Sequence, residues 1–274
     1  MGASMATHTR LRTLIAELGA LTITMAIIQV PVAEALPEGS ADHYAGSQIA
    51  DHEGWGRIAQ SRPARQESVP GMDVSSHQGD VDWAKAWADG ARFAYVKATE
   101  GTGYRNPKFA QQYNGSYHIG MIRGAYHFAL PDRSDGATQA DFFAFNGGGW
   151  SGDGVTLPGA VDMEYNPYGD TCYGLDQAEM GAWVRAFSDR LVARTGRYPV
   201  IYTSTSWWNR CVGDADRFGA TSPLWVAHYA DVLGPLPHGW DYHSIWQWQA
   251  AGLFPGDQNL FNGSYDRLRA LATG

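Results

Sequence analysis

Leu157-Pro158-Gly159-Ala160-Val161-Asp162-Met163-Glu164 is the stretch on which the reading of this chain turns. It is a short apolar run opened by Pro-Gly and read as a buried strand, and it carries two carboxylates on alternate positions. In an extended strand residues i and i+2 point the same way, about 6 to 7 Å apart along the backbone. Downstream, Leu175 to Thr195 has Met180, Trp183, Val184, Phe187, Leu191 and Val192 at three- and four-residue steps, with Gly196 just beyond. That spacing predicts a helix, and Pro199 to Tyr202 then supplies the next strand. Strand, helix, strand is a β/α unit.

The alternation continues in both directions. Upstream, strands are predicted at Gly71 to Ser75, Phe93 to Ala98 and Ile122 to Phe128. Helices fall between them at Asp82 to Ala88, with Asp82 as cap, at Asn106 to Tyr117, with Pro107 at its first position, and at Thr138 to Phe145. Downstream come strands at Leu224 to Ala227 and Ser244 to Trp248, then a last short element near Ser264 to Leu268. Eight strand candidates with helices that weaken after the fifth predict an α/β fold, a small, irregular TIM-like β/α barrel. In such barrels functional side chains sit at the C-terminal strand ends. Here those ends carry Asp73, Lys97 and Glu100, Tyr126 and His127, Asp162 and Glu164, Tyr202, His228 and Tyr229, Trp246 to Trp248, and Asp266. Gathering four acids is costly unless they share a proton or face a positively polarised ligand. Paired carboxylates are the usual equipment for breaking a glycosidic bond.

Composition restricts the partners. The 274-residue chain has 44% hydrophobic residues and 18% charged, which suits a core-forming globular protein. Its 11 Trp and 14 Tyr exceed what such a core needs and point to sugar-stacking surfaces. A net charge of -8 without Lys/Arg clusters argues against nucleic acid. Arg10 and Arg12, the apolar stretch Leu18 to Val30 and Ala33-Glu34-Ala35 read as a secretory signal over residues 1–35; the apolar stretch falls short of the roughly 20 residues of a membrane span. Residues 36–70 collect Gly, Ser, Pro, Gln, Arg and Glu and read as a propeptide or linker, partly disordered. The catalytic domain is expected over 71–274. Cys172 and Cys211 in a secreted chain favour a disulfide closing a loop of about 39 residues. Asp257 and Asn259 alone do not make a calcium site, so no metal or other cofactor is expected.

Four motifs come in order: Gly71-Met72-Asp73-Val74-Ser75-Ser76-His77-Gln78-Gly79, Phe93-Ala94-Tyr95-Val96-Lys97-Ala98-Thr99-Glu100-Gly101, Arg123-Gly124-Ala125-Tyr126-His127-Phe128 and Val161-Asp162-Met163-Glu164. Together with Ile201-Tyr202-Thr203-Ser204, Leu224-Trp225-Val226-Ala227 and Ile245-Trp246-Gln247 they resemble the glycoside hydrolase family 25 lysozymes, the Chalaropsis-type N-acetylmuramidases, especially the secreted actinobacterial members. The resemblance covers residues 71 to 274. It implies a (βα)5β3 barrel and hydrolysis of the β-1,4 bond between N-acetylmuramic acid and N-acetylglucosamine in bacterial peptidoglycan, some members tolerating O-acetylation. It further implies Glu164 as proton donor, Asp162 as its partner acid, and Asp73 and Asp266 as flanking acids. Tyr126, Tyr202, Trp225, Trp246, Gln247 and Lys97 are the expected substrate contacts. A secreted monomer without stable membrane association is expected. A chitinase-like glycosidase and a non-catalytic glycan-binding protein are the alternative functions. Two mechanisms remain open: attack by the substrate's own acetamide, oriented by Asp162, or by water with Asp73 or Asp266 as base.

Overall fold

The computed structural model describes residues 1–2, 42–54 and 67–274, so the predicted signal lies almost wholly outside the described residues. Helix α1 (Ser47–Glu53) precedes a barrel built from β1 (Ser68–Val74), α2 (Trp83–Ala88), β2 (Phe93–Glu100), the short β3 (Tyr104–Arg105), α3 (Phe109–His118), β4 (Ile122–Phe128), α4 (Gly136–Phe145), β5 (Ala160–Asp162), α5 (Gln177–Thr195), β6 (Val200–Ser204), α6 (Thr205–Cys211), β7 (Leu224–Ala227), β8 (Ile245–Gln249) and β9 (Asp257–Asn262), closed off by α7 (Tyr265–Thr273). Eight strands pair in the ring β1-β2-β4-β5-β6-β7-β8-β9, and β9 returns to β1. All are parallel except β9, which runs antiparallel to both neighbours. Five β/α units followed by three strands is the (βα)5β3 arrangement expected from the sequence.

Local chemistry explains the elements. Asp176 and Glu179 form a reciprocal capping box at the start of α5, and Gly196, at φ 77°, ends it in the left-handed conformation that glycine adopts without penalty. The predicted apolar stripe of α5 buries Met180, Trp183, Val184, Phe187 and Leu191. Asp82 caps α2 through the backbone N–H of Lys85. Gly71 opens β1 where it meets β2, because a Cβ there would clash with the Phe93 ring.

The structure differs from the sequence reading at both ends of the domain. The chain enters the barrel at Ser68, not Gly71, so Pro70 lies inside a strand. Pairing of β1 with β2 begins only at Gly71 opposite Phe93, so the N–H that Pro70 lacks is not needed on that side. The last element, expected near Ser264 to Leu268, is the start of helix α7, with Ser264 accepting the N–H of Arg267. The eighth strand is Asp257–Asn262 instead. Only Leu260 and Phe261 in its run Asp-Gln-Asn-Leu-Phe-Asn are apolar, because Asp257 and Asn259 lie beside Asp73 at the strand's first residues.

Cys172, between β5 and α5, and Cys211, at the end of α6, form the expected disulfide, with a Cα–Cα distance of 5.4 Å. It closes 39 residues, for which loop-closure entropy gives about 4 kcal/mol. A Cys172→Ser/Cys211→Ser variant should lose about that much unfolding free energy in a urea titration, and an unchanged midpoint would contradict it.

Candidate active site

Asp73 lies near the end of β1, Asp162 is the last residue of β5, and Glu164 follows two positions later. Asp257 joins them from β9, where it pairs opposite Asp73. Because β9 is antiparallel, its first residue lies at the end where the parallel strands finish. All four acids are buried, none more than 2% exposed. Asp266, expected as the fourth acid, is exposed in the first turn of α7, which follows the opposite end of β9. Asp257 therefore takes the place assigned to Asp266. The signal for it was present in the sequence: Asp257-x-Asn259 repeats the i, i+2 pattern of Asp162-x-Glu164.

Burial without a full set of donors sets the electrostatics. Asp73 accepts Gln247 Nε2 at 3.0 Å and Asn259 Nδ2 at 2.6 Å; burial pushes it up to about 7 against these two hydrogen bonds. No N–H reaches either oxygen of Asp162 among the described residues; burial, the neighbouring Glu164 charge and a carboxyl–carboxyl hydrogen bond with Glu164 raise it well above the carboxylate range. Burial pushes Glu164 up to about 8. Asp257 is raised by burial and by Asp73. Such a cluster holds protons near neutral pH, which a general acid requires.

Around the acids, Tyr202 and Tyr229 donate to Gln247 Oε1 at 2.7 and 2.8 Å. Lys97 Nζ meets Glu100 at 2.6 Å, both side chains being fully buried. Burial opposes the charge on Glu100, but Lys97 and then His43 outweigh it and hold the group down to about 2. Tyr126, Tyr202, Gln247 and Lys97 thus converge on the acids as expected. Two expected contacts do not. Trp225 is wedged inside the barrel, its ring 4.8 Å from Tyr95 and 4.7 Å from Tyr202, and its Nε1 donates to Asn259 Oδ1 at 2.8 Å; it supports the residue that holds Asp73. Trp246 alternates with the inward Gln247, so it faces away from the barrel interior, where its Nε1 donates to the His228 carbonyl. His127 is a satisfied core histidine, between Thr99 and Gln139.

One occupant of this face was not legible beforehand. Residues 42–54, read as part of a propeptide or linker, lie across the acids. The backbone N–H of Gly46 donates to Glu164 Oε1 at 2.8 Å, and those of Gln48 and Ile49 donate to Oε2 at 2.9 Å each.

The description "Glycosyl hydrolases family 25" matches residues 72–257. The chain is 51% identical to the N,O-diacetylmuramidase of Chalaropsis sp over 211 residues, 76% of this chain and 100% of that one. It is 43% identical to lysozyme M1 of Streptomyces globisporus over 270 residues, 93% of this chain and 92% of that one, a match that runs into the segment before the barrel. The crystal structure of the bacterial lysozyme from Streptomyces coelicolor superposes with a TM-score of 0.74 at 47% identity, over 76% of this chain and 99% of that one. With its acids on the strand ends of a (βα)5β3 barrel and these relatives along most of its length, the chain belongs to glycosyl hydrolase family 25.

Proposed function

We propose that this lysozyme cuts the β-1,4 bond between N-acetylmuramic acid and N-acetylglucosamine in bacterial peptidoglycan, with Glu164 as the proton donor. The observation that carries the assignment is the shared burial of Asp162 and Glu164 at one strand end, with Glu164 raised to about 8. The names of the relatives, muramidase and lysozyme, point to the same substrate.

In the proposed reaction Glu164 gives its proton to the glycosidic oxygen as the bond from that oxygen to the anomeric carbon breaks. The carbonyl oxygen of the 2-acetamido group attacks the same carbon, and ionised Asp162 accepts the amide N–H, favouring the cation that forms. Water, deprotonated by the Glu164 carboxylate, then opens the ring and restores the acid. That no N–H donates to Asp162 among the described residues supports this role, since the carboxylate left when its bond to Glu164 opens can take the amide. Asp73, tied to Gln247 and Asn259, suits a positioning role better than that of a base. Asp73 in turn raises Asp257 from across the β1–β9 pair.

Residues 1–35 are proposed as a signal for export, 36–70 as a leader and 71–274 as the catalytic domain, which works as a monomer. The disulfide suits an oxidising compartment, and among the described residues no helix is long and apolar enough to cross a membrane.

Incubation with peptidoglycan and, separately, with chitin tests the reading. Muropeptides are expected from the first and no soluble sugar from the second; release from chitin alone would favour a chitinase, and release from neither, even by a variant in which residues 42–54 no longer cover the acids, would favour a glycan-binding protein. NMR of the newly formed reducing end should give the retained anomer, whereas inversion would replace the acetamide route by direct attack of water.

A further inference from the structure

The segment across the acids is built to stay there. Both Glu164 oxygens are taken by its three backbone N–H groups, leaving none to reach a glycosidic oxygen. Gln247 Nε2 donates to the Ala45 carbonyl at 3.1 Å, and Tyr126 Oη accepts the Ala45 N–H at 3.3 Å. Lys97 pairs with the Asp42 carboxylate, and Glu53 is bonded by Ser204 and by Tyr165 at 3.0 Å. The His52 ring stacks on Tyr165 at 4.2 Å with 8° between planes, covering an aromatic face beside Glu164. Ala45, Ile49 and Ala50 are at most 1% exposed, a burial of apolar surface that ordinary linkers do not reach. Gly46 fits for two reasons: its φ of 93° favours glycine, and a Cβ there would clash with Tyr229, Gln247 and Tyr202.

The cleft residues that hold this segment are those assigned above to catalysis and substrate. We infer that residues 42–54 are an intramolecular inhibitor, which fills the catalytic cleft of the full chain and must leave before a glycan strand can enter. The inference rests on the muramidase reading for the identity of what is excluded, but not for the docking itself. Covalent attachment holds the segment at an effective concentration of order mM, so modest intrinsic affinity suffices to keep the cleft shut. The match to lysozyme M1 extends into this region, so part of the sequence ahead of the barrel has a counterpart in a relative as well.

The test uses the chain with its leader intact, beside Gly46→Ala and Ile49→Asp, neither of which touches the catalytic groups with a side chain that the chemistry uses. Two readouts are taken: hydrogen exchange of the amides in 42–54 and the initial rate of muropeptide release. Wild type should protect Gly46, Gln48 and Ile49 and release slowly. Both variants should lose the protection and release at least about tenfold faster, the equivalent of about 1.4 kcal/mol of docking. A synthetic peptide of residues 42–54 at about mM concentration should slow them again. Equal rates in all three proteins, or unprotected amides in wild type, would overturn the inference. If no form releases muropeptides, the muramidase reading fails separately, and the leader is judged on exchange alone: protection lost in both variants upholds the docking, and equal exchange overturns it.

Discussion

Replacing Glu164 with Gln should lower muropeptide release by 10² to 10⁴-fold, the range that general acid catalysis supplies. Glutamine keeps the shape and burial of the side chain but has no proton to transfer at neutral pH, so the glycosidic oxygen would have to leave as an alkoxide. The loss should fall on kcat, with KM little changed, because the proton is needed only as the bond breaks. The same substitution also tests the docked leader. Gly46, Gln48 and Ile49 direct N–H groups at both Glu164 oxygens, and the amide of Gln presents an NH2 to one of those places. Glu164→Gln should therefore loosen residues 42–54 and still be nearly inactive. Faster exchange in 42–54 with slower turnover separates the catalytic role of Glu164 from its part in holding the segment, which activity alone would not do. Activity within a few-fold of the Gly46→Ala chain, whose segment is likewise loosened, would remove Glu164 from the role of acid.

Asp162→Asn should cost about 10² to 10³-fold in kcat, comparable to removing one electrostatic contact made to charge that develops in the transition state. Asn can still accept the acetamide N–H but brings no negative charge to the cation that forms. Its pH profile is the sharper measurement. In wild type Asp162 must be ionised and Glu164 protonated, so the rate rises as the pH rises through the first proton loss of the pair and falls through the second. Burial raises both groups, and the Glu164 charge and the hydrogen bond between the two carboxyls raise Asp162 further, which shifts this window above the ordinary carboxylate range. In Asp162→Asn the group that had to lose a proton is gone. The acidic limb should disappear and the alkaline limb remain; a profile that keeps both limbs would contradict the assigned division of labour.

The barrel was legible because its units are local. Each strand is a short apolar run, each helix has its own cap and stripe, and the weakening of the helices after Pro199–Tyr202 marks where β/α units give way to plain strands. Misreadings fall where a residue's direction depends on partners distant in sequence. Trp225 and Trp246 both follow the aromatic pattern of a sugar platform, yet one fills the barrel and the other faces away from it. Eight of the tryptophans are in the buried core, so the aromatic excess mostly packs. The true cleft tyrosines, Tyr126, Tyr202 and Tyr229, are set by which strand faces converge.

Local sequence was enough to place two acids at one strand end and a third on the first strand, and to pair the two cysteines, whose partners needed no selection. It also determined the order of strands and helices, since propensity, capping and periodicity act over a few residues at a time. The antiparallel direction of β9, which brings Asp257 to the acids and carries Asp266 away, came from the packing of the whole barrel. Only the tertiary structure, likewise, put Gly46 against Glu164, which lies 118 positions away in the chain. Strand direction and the docking of a polar, Gly-containing segment arise from contacts between residues far apart in sequence, and no local pattern encodes them.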